Sequence, residues 1–157
     1  MFSLNLFVLK EMKKIATSEK YPKNMALASA WAIAHFKGVN IKIFDVAKIS
    51  SLCDYNIIAS AENTTQARSM ASAISAGLKE EGHSMISLEG LSDGEWILLD
   101  MGDIIIHIFQ ENARDVYDLD SLWIDYPIAP IPAEYYISSN IRRPEDEEEK
   151  SSLKNYF

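Results

Sequence analysis

Asp100, Asp103 and His107 lie close together in the chain, and all three side-chain types can bind a divalent metal. On a strand, residues two or four apart share a face, so Asp103 and His107 would project together, with Asp100 across a turn. Such a set would suit a metal-dependent nucleotide-handling enzyme. The competing reading makes the two aspartates the flanks of a hairpin turn and His107 an ordinary sheet residue. A nucleotidyltransferase also needs a Gly-Ser pair ahead of an Asp-x-Asp pair, so that two carboxylates hold magnesium beside the triphosphate; that arrangement is missing. Cys53 and His83 could be nucleophile and base, yet no motif surrounds either. The chain has no G-x-x-x-x-G-K-[ST], G-x-G-x-x-G, H-E-x-x-H or paired C-x-x-C. With only three histidines (His35, His83, His107), it reads as a protein without catalytic residues, metal or cofactor.

Binding is the better-supported chemistry. Tryptophan is the side chain most enriched in interface hot spots, and Trp96 and Trp123 are candidates, with core packing as the alternative for both. Trp96 follows a turn-like Leu91-Ser92-Asp93-Gly94, and Met101 stands at the next turn, where an apolar side chain is harder to explain by core packing. Trp31 lies on an Ala-rich helical stripe and is expected in the core.

The elements that must position these residues follow from periodicity and punctuation. Residues 1–22 read as an extension with a short amphipathic helix (Leu6, Leu9, Met12, Lys13). Residues 23–37 carry Leu27, Ala30, Trp31 and Ala34 at helical spacing and stop at Gly38. Residues 41–46 and 55–60 read as strands. A helix capped by Thr64 or Thr65 continues to Glu81 and ends at Gly82, with an apolar stripe of Ala67, Met70, Ala71, Ile74 and Leu78. A short strand at 84–88 precedes two strands, 96–100 and 103–109, joined by Met101-Gly102. Both are apolar on both faces, which predicts a hairpin near the sheet centre, covered by helices. A short helix or turn at 111–115 follows. The pattern is that of an α/β layer fold with a mixed β-sheet flanked by helices. From about residue 126, Pro127, Pro130 and Pro132 exclude regular helix and central strand, and the acidic run 145–149 adds to the expectation of partial flexibility.

Charge is unevenly distributed. Residues 1–37 are net +4, residues 38–126 net −10 and residues 127–157 net −2. So acidic a body suits a basic protein better than a phosphate backbone, whose neutralisation requires Lys and Arg. No run approaches the roughly 20 apolar residues of a membrane span. In residues 1–16 the lysines follow the apolar patch, unlike a secretory signal. The single cysteine excludes an internal disulfide and fits a reducing compartment. These readings point to the cytoplasm.

Several separated stretches carry a family resemblance. The segments Ser84-Met85-Ile86-Ser87-Leu88-Glu89-Gly90-Leu91, Gly94-Glu95-Trp96-Ile97-Leu98-Leu99-Asp100-Met101-Gly102-Asp103-Ile104-Ile105-Ile106-His107-Ile108-Phe109 and Arg114-Asp115-Val116-Tyr117-Asp118-Leu119-Asp120-Ser121-Leu122-Trp123 resemble the ribosomal silencing factor (Iojap-like) family. Phe44-Asp45-Val46, Ser50-Ser51 and Asp54-Tyr55 occur in the family's order, so the resemblance covers roughly residues 25–124. It implies a nucleotidyltransferase-like fold without the catalytic motif, binding to the large ribosomal subunit through large-subunit ribosomal protein fourteen, and repression of translation by blocking subunit joining. It also implies a homodimer in solution. An assembly factor for the large subunit would use the same surface. Carried over motif by motif, the partner-binding positions are Trp96, Asp100, Met101 and Gly102, with Asp103 and His107 in the same motif.

The segment Ser60-Ala61-Glu62-Asn63-Thr64-Thr65-Gln66 departs from the pattern: it lacks the glycine and first arginine of the family's turn, while Gln66 and Arg68 keep part of it. The expected organisation is an extension at 1–22, a silencing-factor domain at 23–125, and a Pro-containing acidic extension at 126–157.

Overall fold

Alanine-rich sequence lets a helix approach its neighbours closely, and the second helix uses this throughout. In the computed structural model, which describes residues 6–137, α2 (Lys23–His35) is buried from Asn24 to Ala34 between α1 (Leu6–Ser18), α3 (Thr64–Glu80) and the sheet. Trp31 is in this core. Helix α1 belongs to the same layer: its buried stripe is Val8, Met12 and Ala16 rather than Leu6, Leu9 and Met12. Gly77, in the last turn of α3, leaves the notch that Met12 fills, since a Cβ there would lie 2.3 Å from the thioether. Glycine in a helix interior costs about 1 kcal/mol relative to alanine, and here the missing side chain makes room for α1.

The sheet has six strands in the order β3-β4-β5-β2-β1-β6. They are β1 (Val39–Asp45), β2 (Tyr55–Ala61), β3 (Ser87–Glu89), β4 (Trp96–Asp100), β5 (Ile104–Gln110) and β6 (Ile128–Ala129). Strands β2 and β5 pair in parallel and every other neighbour is antiparallel. The fold is therefore the mixed α/β sheet flanked by helices that the periodicity predicts. Helices α2 and α3 cover one face, over Ile43, Ile57, Ala59, Ile97, Leu99, Ile106 and Ile108, and α1 packs against both of them.

Local differences have local causes. Asn63, not Thr64 or Thr65, caps α3, its side chain accepting the Gln66 N–H at 2.8 Å. Three residues, Met101 to Asp103, join β4 to β5, because Met101 N–H donates to Ile104 O and draws Asp103 into the turn. The short strand begins at Ser87 rather than Ser84. Beyond β5, α4 (Glu111–Tyr117) and α5 (Leu119–Leu122) are two short helices separated by Asp118 at φ +48°. Past Tyr126, Ile128 and Ala129 pair with β1 as an edge strand, the place where flanking prolines are tolerated. Helix α6 (Glu134–Ile137) then returns against α2. The acidic run 145–149 lies outside the described residues.

Candidate functional site

The second face of the sheet is only half covered. Its rows read across the strands as Phe44, Asn56, Ile105 and Asp100; then Lys42, Ile58, His107 and Leu98; then Ser60, Phe109 and Trp96. Helices α4 and α5, with Trp123 and Tyr126, close over Phe44, Ile58 and Phe109. Beyond them, toward β4, no helix among the described residues covers the sheet: Trp96, Leu98, Asp100 and Ile105 stay half-buried. Among the described residues, the expectation of helices on both faces of the hairpin thus holds in full for one face and only beside β5 on the other, because the chain after β5 lays its short helices over β5, β2 and the edge of β1.

Arg114 sets where that cover stops. This buried side chain of α4 donates through Nε and Nη2 to both carboxylate oxygens of Asp120, each at 3.0 Å, and through Nη1 to Ser60 Oγ and Asn40 O. Lys42 adds a bond to Asp120 at 2.9 Å. The Arg114 hydrogen bonds, reinforced by Lys42, hold the Asp120 carboxyl down at about 2. The two short helices are thereby pinned to the sheet by a charge-assisted network stronger than neutral hydrogen bonds.

Trp96 occupies the rim between covered and open halves. Its ring lies 4.9 Å from Phe109 and 4.6 Å from Tyr117, and its Nε1 donates to His107 Nδ1 at 3.1 Å. His107 is 6% exposed, with Trp123 5.4 Å away, and burial depresses its pKa to about 4. Exposed apolar residues flank the face: Val116 and Tyr117 on α4, and Leu122 and Ile124 beyond. Scattered exposed apolar residues are ordinary, but a half-open apolar sheet face beside them makes this the candidate docking surface.

The six sequence-chosen residues fall into two groups. Trp96, Asp100 and His107 share the open face, His107 beneath its surface. Met101, Gly102 and Asp103 form the hairpin tip, which begins about 17 Å along the strand from Trp96. Met101 packs against the helix-covered core, Gly102 takes φ +87° and donates its N–H to Asp100 Oδ1, and Asp103 accepts the Tyr21 hydroxyl at 2.6 Å. Burial and that carboxylate push Tyr21 up to about 12, and its ring stacks on His83. The three potential metal ligands thus have separate partners, and among the described residues no three His, Cys, Asp or Glu converge. Cys53 is buried beside Phe44 and Ile58, in surroundings separate from His83. Sequence reasoning missed Leu98 and Ile105; alternation from Trp96 through Leu98 to Asp100 was the available signal for the first.

The divergent turn at 60–66 braces the same region. Thr64 Oγ1 donates to Asp93 O and accepts from Gln110 Nε2, while Arg68 donates to Leu91 O and Ser92 O. Together these tie α3 to the loop that delivers Trp96. Near them, a cleft of about 500 Å³ at the carboxyl ends of β2 and β5 is lined by Glu62, Glu95, Gln110, Glu111 and Tyr117, without a Lys or Arg. That lining repels nucleotide phosphates.

No helix among the described residues is long and apolar enough to cross a membrane. A family model described as "Ribosomal silencing factor during starvation" matches residues 18–155, further in both directions than the motifs alone reach. The chain is similar to a ribosomal silencing factor of Chromobacterium violaceum, at 35% identity over 92 residues, covering 59% of this chain and 75% of that one. It is also similar to the Bacillus subtilis ribosomal silencing factor, at 29% identity over 109 residues, covering 69% and 92% of the two chains. A crystal structure of a Chromobacterium violaceum protein superposes with a TM-score of 0.58 at 28% identity, over 82% of this chain and 98% of that one. With matched sequence over nearly its whole length and a shared fold, this chain belongs to the ribosomal silencing factor family.

Proposed function

We propose that this protein represses translation in the cytoplasm by binding the large ribosomal subunit through large-subunit ribosomal protein fourteen and blocking its union with the small subunit. The observation that carries the reading is the half-open apolar face, with Trp96 on its rim and Asp100 at its edge. An aromatic anchor held in place, apolar neighbours and an acidic surround fit a basic protein partner. Family membership supports the ribosome as the place of action. Trp96, Leu98 and Asp100 make the contact, and the tip residues Met101 and Gly102 extend it.

Cosedimentation with isolated large subunits at moderate salt tests the reading, with Trp96→Ala as the variant. Loss of binding by a folded Trp96→Ala chain is expected; native-level binding by it would refute the proposed face. A joining assay with purified subunits then separates silencing from an assembly role, since only a silencer blocks joining of mature subunits. The enzymatic reading has little support, because the candidate metal ligands are dispersed and the cleft is acidic. Heat on titrating manganese and a nucleotide into the protein would revive it.

A further inference from the structure

We infer that His107 is a positioning residue for docking: from beneath the sheet surface it fixes the orientation of the Trp96 indole that the partner meets. The inference rests on the docking face proposed above. The torsion that rotates an indole about its Cβ–Cγ bond is broad and roughly two-fold, so a stacked ring can present either edge. Phe109 and Tyr117 lie close to the ring and limit its tilt and position. Ring contacts of this kind leave open which edge points inward. The bond from Trp96 Nε1 to His107 Nδ1 resolves that choice, because the indole N–H is a donor only and the buried nitrogen is its acceptor.

His107 is suited to this role. Only a neutral imidazole offers an acceptor nitrogen, and accepting at Nδ1 places its proton on Nε2. The ring is almost fully buried among Trp96, Phe109 and Trp123, so it acts through Trp96 and does not itself reach a partner. A leucine would fill much of the volume yet leave the indole N–H without its acceptor. An asparagine would return an acceptor oxygen near the position of Nδ1. Preorganising one aromatic side chain in this way is worth roughly three- to tenfold in affinity.

The experiment compares His107→Leu, His107→Asn, Trp96→Phe and Trp96→Ala in the full chain. It reads binding to isolated large ribosomal subunits by cosedimentation and the Trp96 indole N–H resonance by NMR, after thermal melting has shown each variant folded. His107→Leu is expected to shift that resonance to the position of a free indole and to weaken binding roughly three- to tenfold. His107→Asn should restore most of both. Trp96→Phe, which leaves the imidazole untouched, should bind no better than His107→Leu and keeps the inference testable if the leucine variant does not fold. An unmoved indole resonance in His107→Leu, equal losses in the Leu and Asn variants, or native-level binding by Trp96→Phe would each overturn the inference. Native-level binding by Trp96→Ala would instead overturn the docking face, so the two failures are distinct.

Discussion

Acid should unfold this protein through His107 before its best-paired carboxylate titrates. Burial holds the His107 pKa at about 4 against 6.5 for the free side chain. The depressed value means that the unfolded chain binds the proton more tightly than the folded one. The stability due to neutral His107 is therefore fully present above pH 6.5 and is lost as pH falls from there toward 4. Integrating the proton-binding difference over that window gives about 3 kcal/mol, a large fraction of a typical domain's stability. Asp120 has the usual carboxylate sign: its pKa lies at about 2 instead of 3.8, so its contribution is lost only below that window. His35 is also lowered by burial and contributes in the same direction as His107. Urea unfolding at pH 7 and pH 4 on the native chain and on His107→Asn isolates the effect, because asparagine does not titrate and every other group is common to both. The native chain should lose about 3 kcal/mol more than the variant across the interval. Equal losses would refute the argument that a buried, neutral imidazole supports this face.

Three further outcomes follow from other parts of the structure. Gly90 has φ +84°, and a Cβ there would lie 1.9 Å from the carbonyl oxygen of Trp96, so Gly90→Ala should cost at least about 2 kcal/mol and loosen the start of β4, as read by denaturant unfolding. Arg114→Met removes four donated bonds and leaves Asp120 and Ser60 short of partners; a loss of about 2–4 kcal/mol is expected, with an unchanged midpoint counting against the pinning role. Cys53 is buried, and burial raises its thiol pKa, so a thiol reagent at neutral pH should label the native chain far more slowly than the urea-unfolded chain.

What the chain reveals in sequence and what it withholds divide along a physical line. Strand β4 and most of β5 are legible because short apolar runs bounded by Gly94 and Gly102 have few alternatives, and the body of α3 because its stripe keeps a helical period. The alternation that places Trp96, Leu98 and Asp100 on one face is visible as well. The uncovered half of that face is not, because cover depends on where α4 and α5 come to rest. That is decided by Arg114 reaching Asn40 and Ser60, residues 74 and 54 positions away. Pairings at such separations leave no periodic trace in a single sequence. The same holds for His107. Sequence places it near Asp103 as a possible ligand, whereas the register sets it diagonally from Trp96, which pairs with Phe109, and turns its nitrogen toward the indole. Its chemistry is therefore set by the strand across from it more than by the carboxylate four residues before it. Motif spacing locates the hairpin, but only the cross-strand pairing sets Trp96 at the half-open face and His107 beneath it, with its nitrogen on the indole.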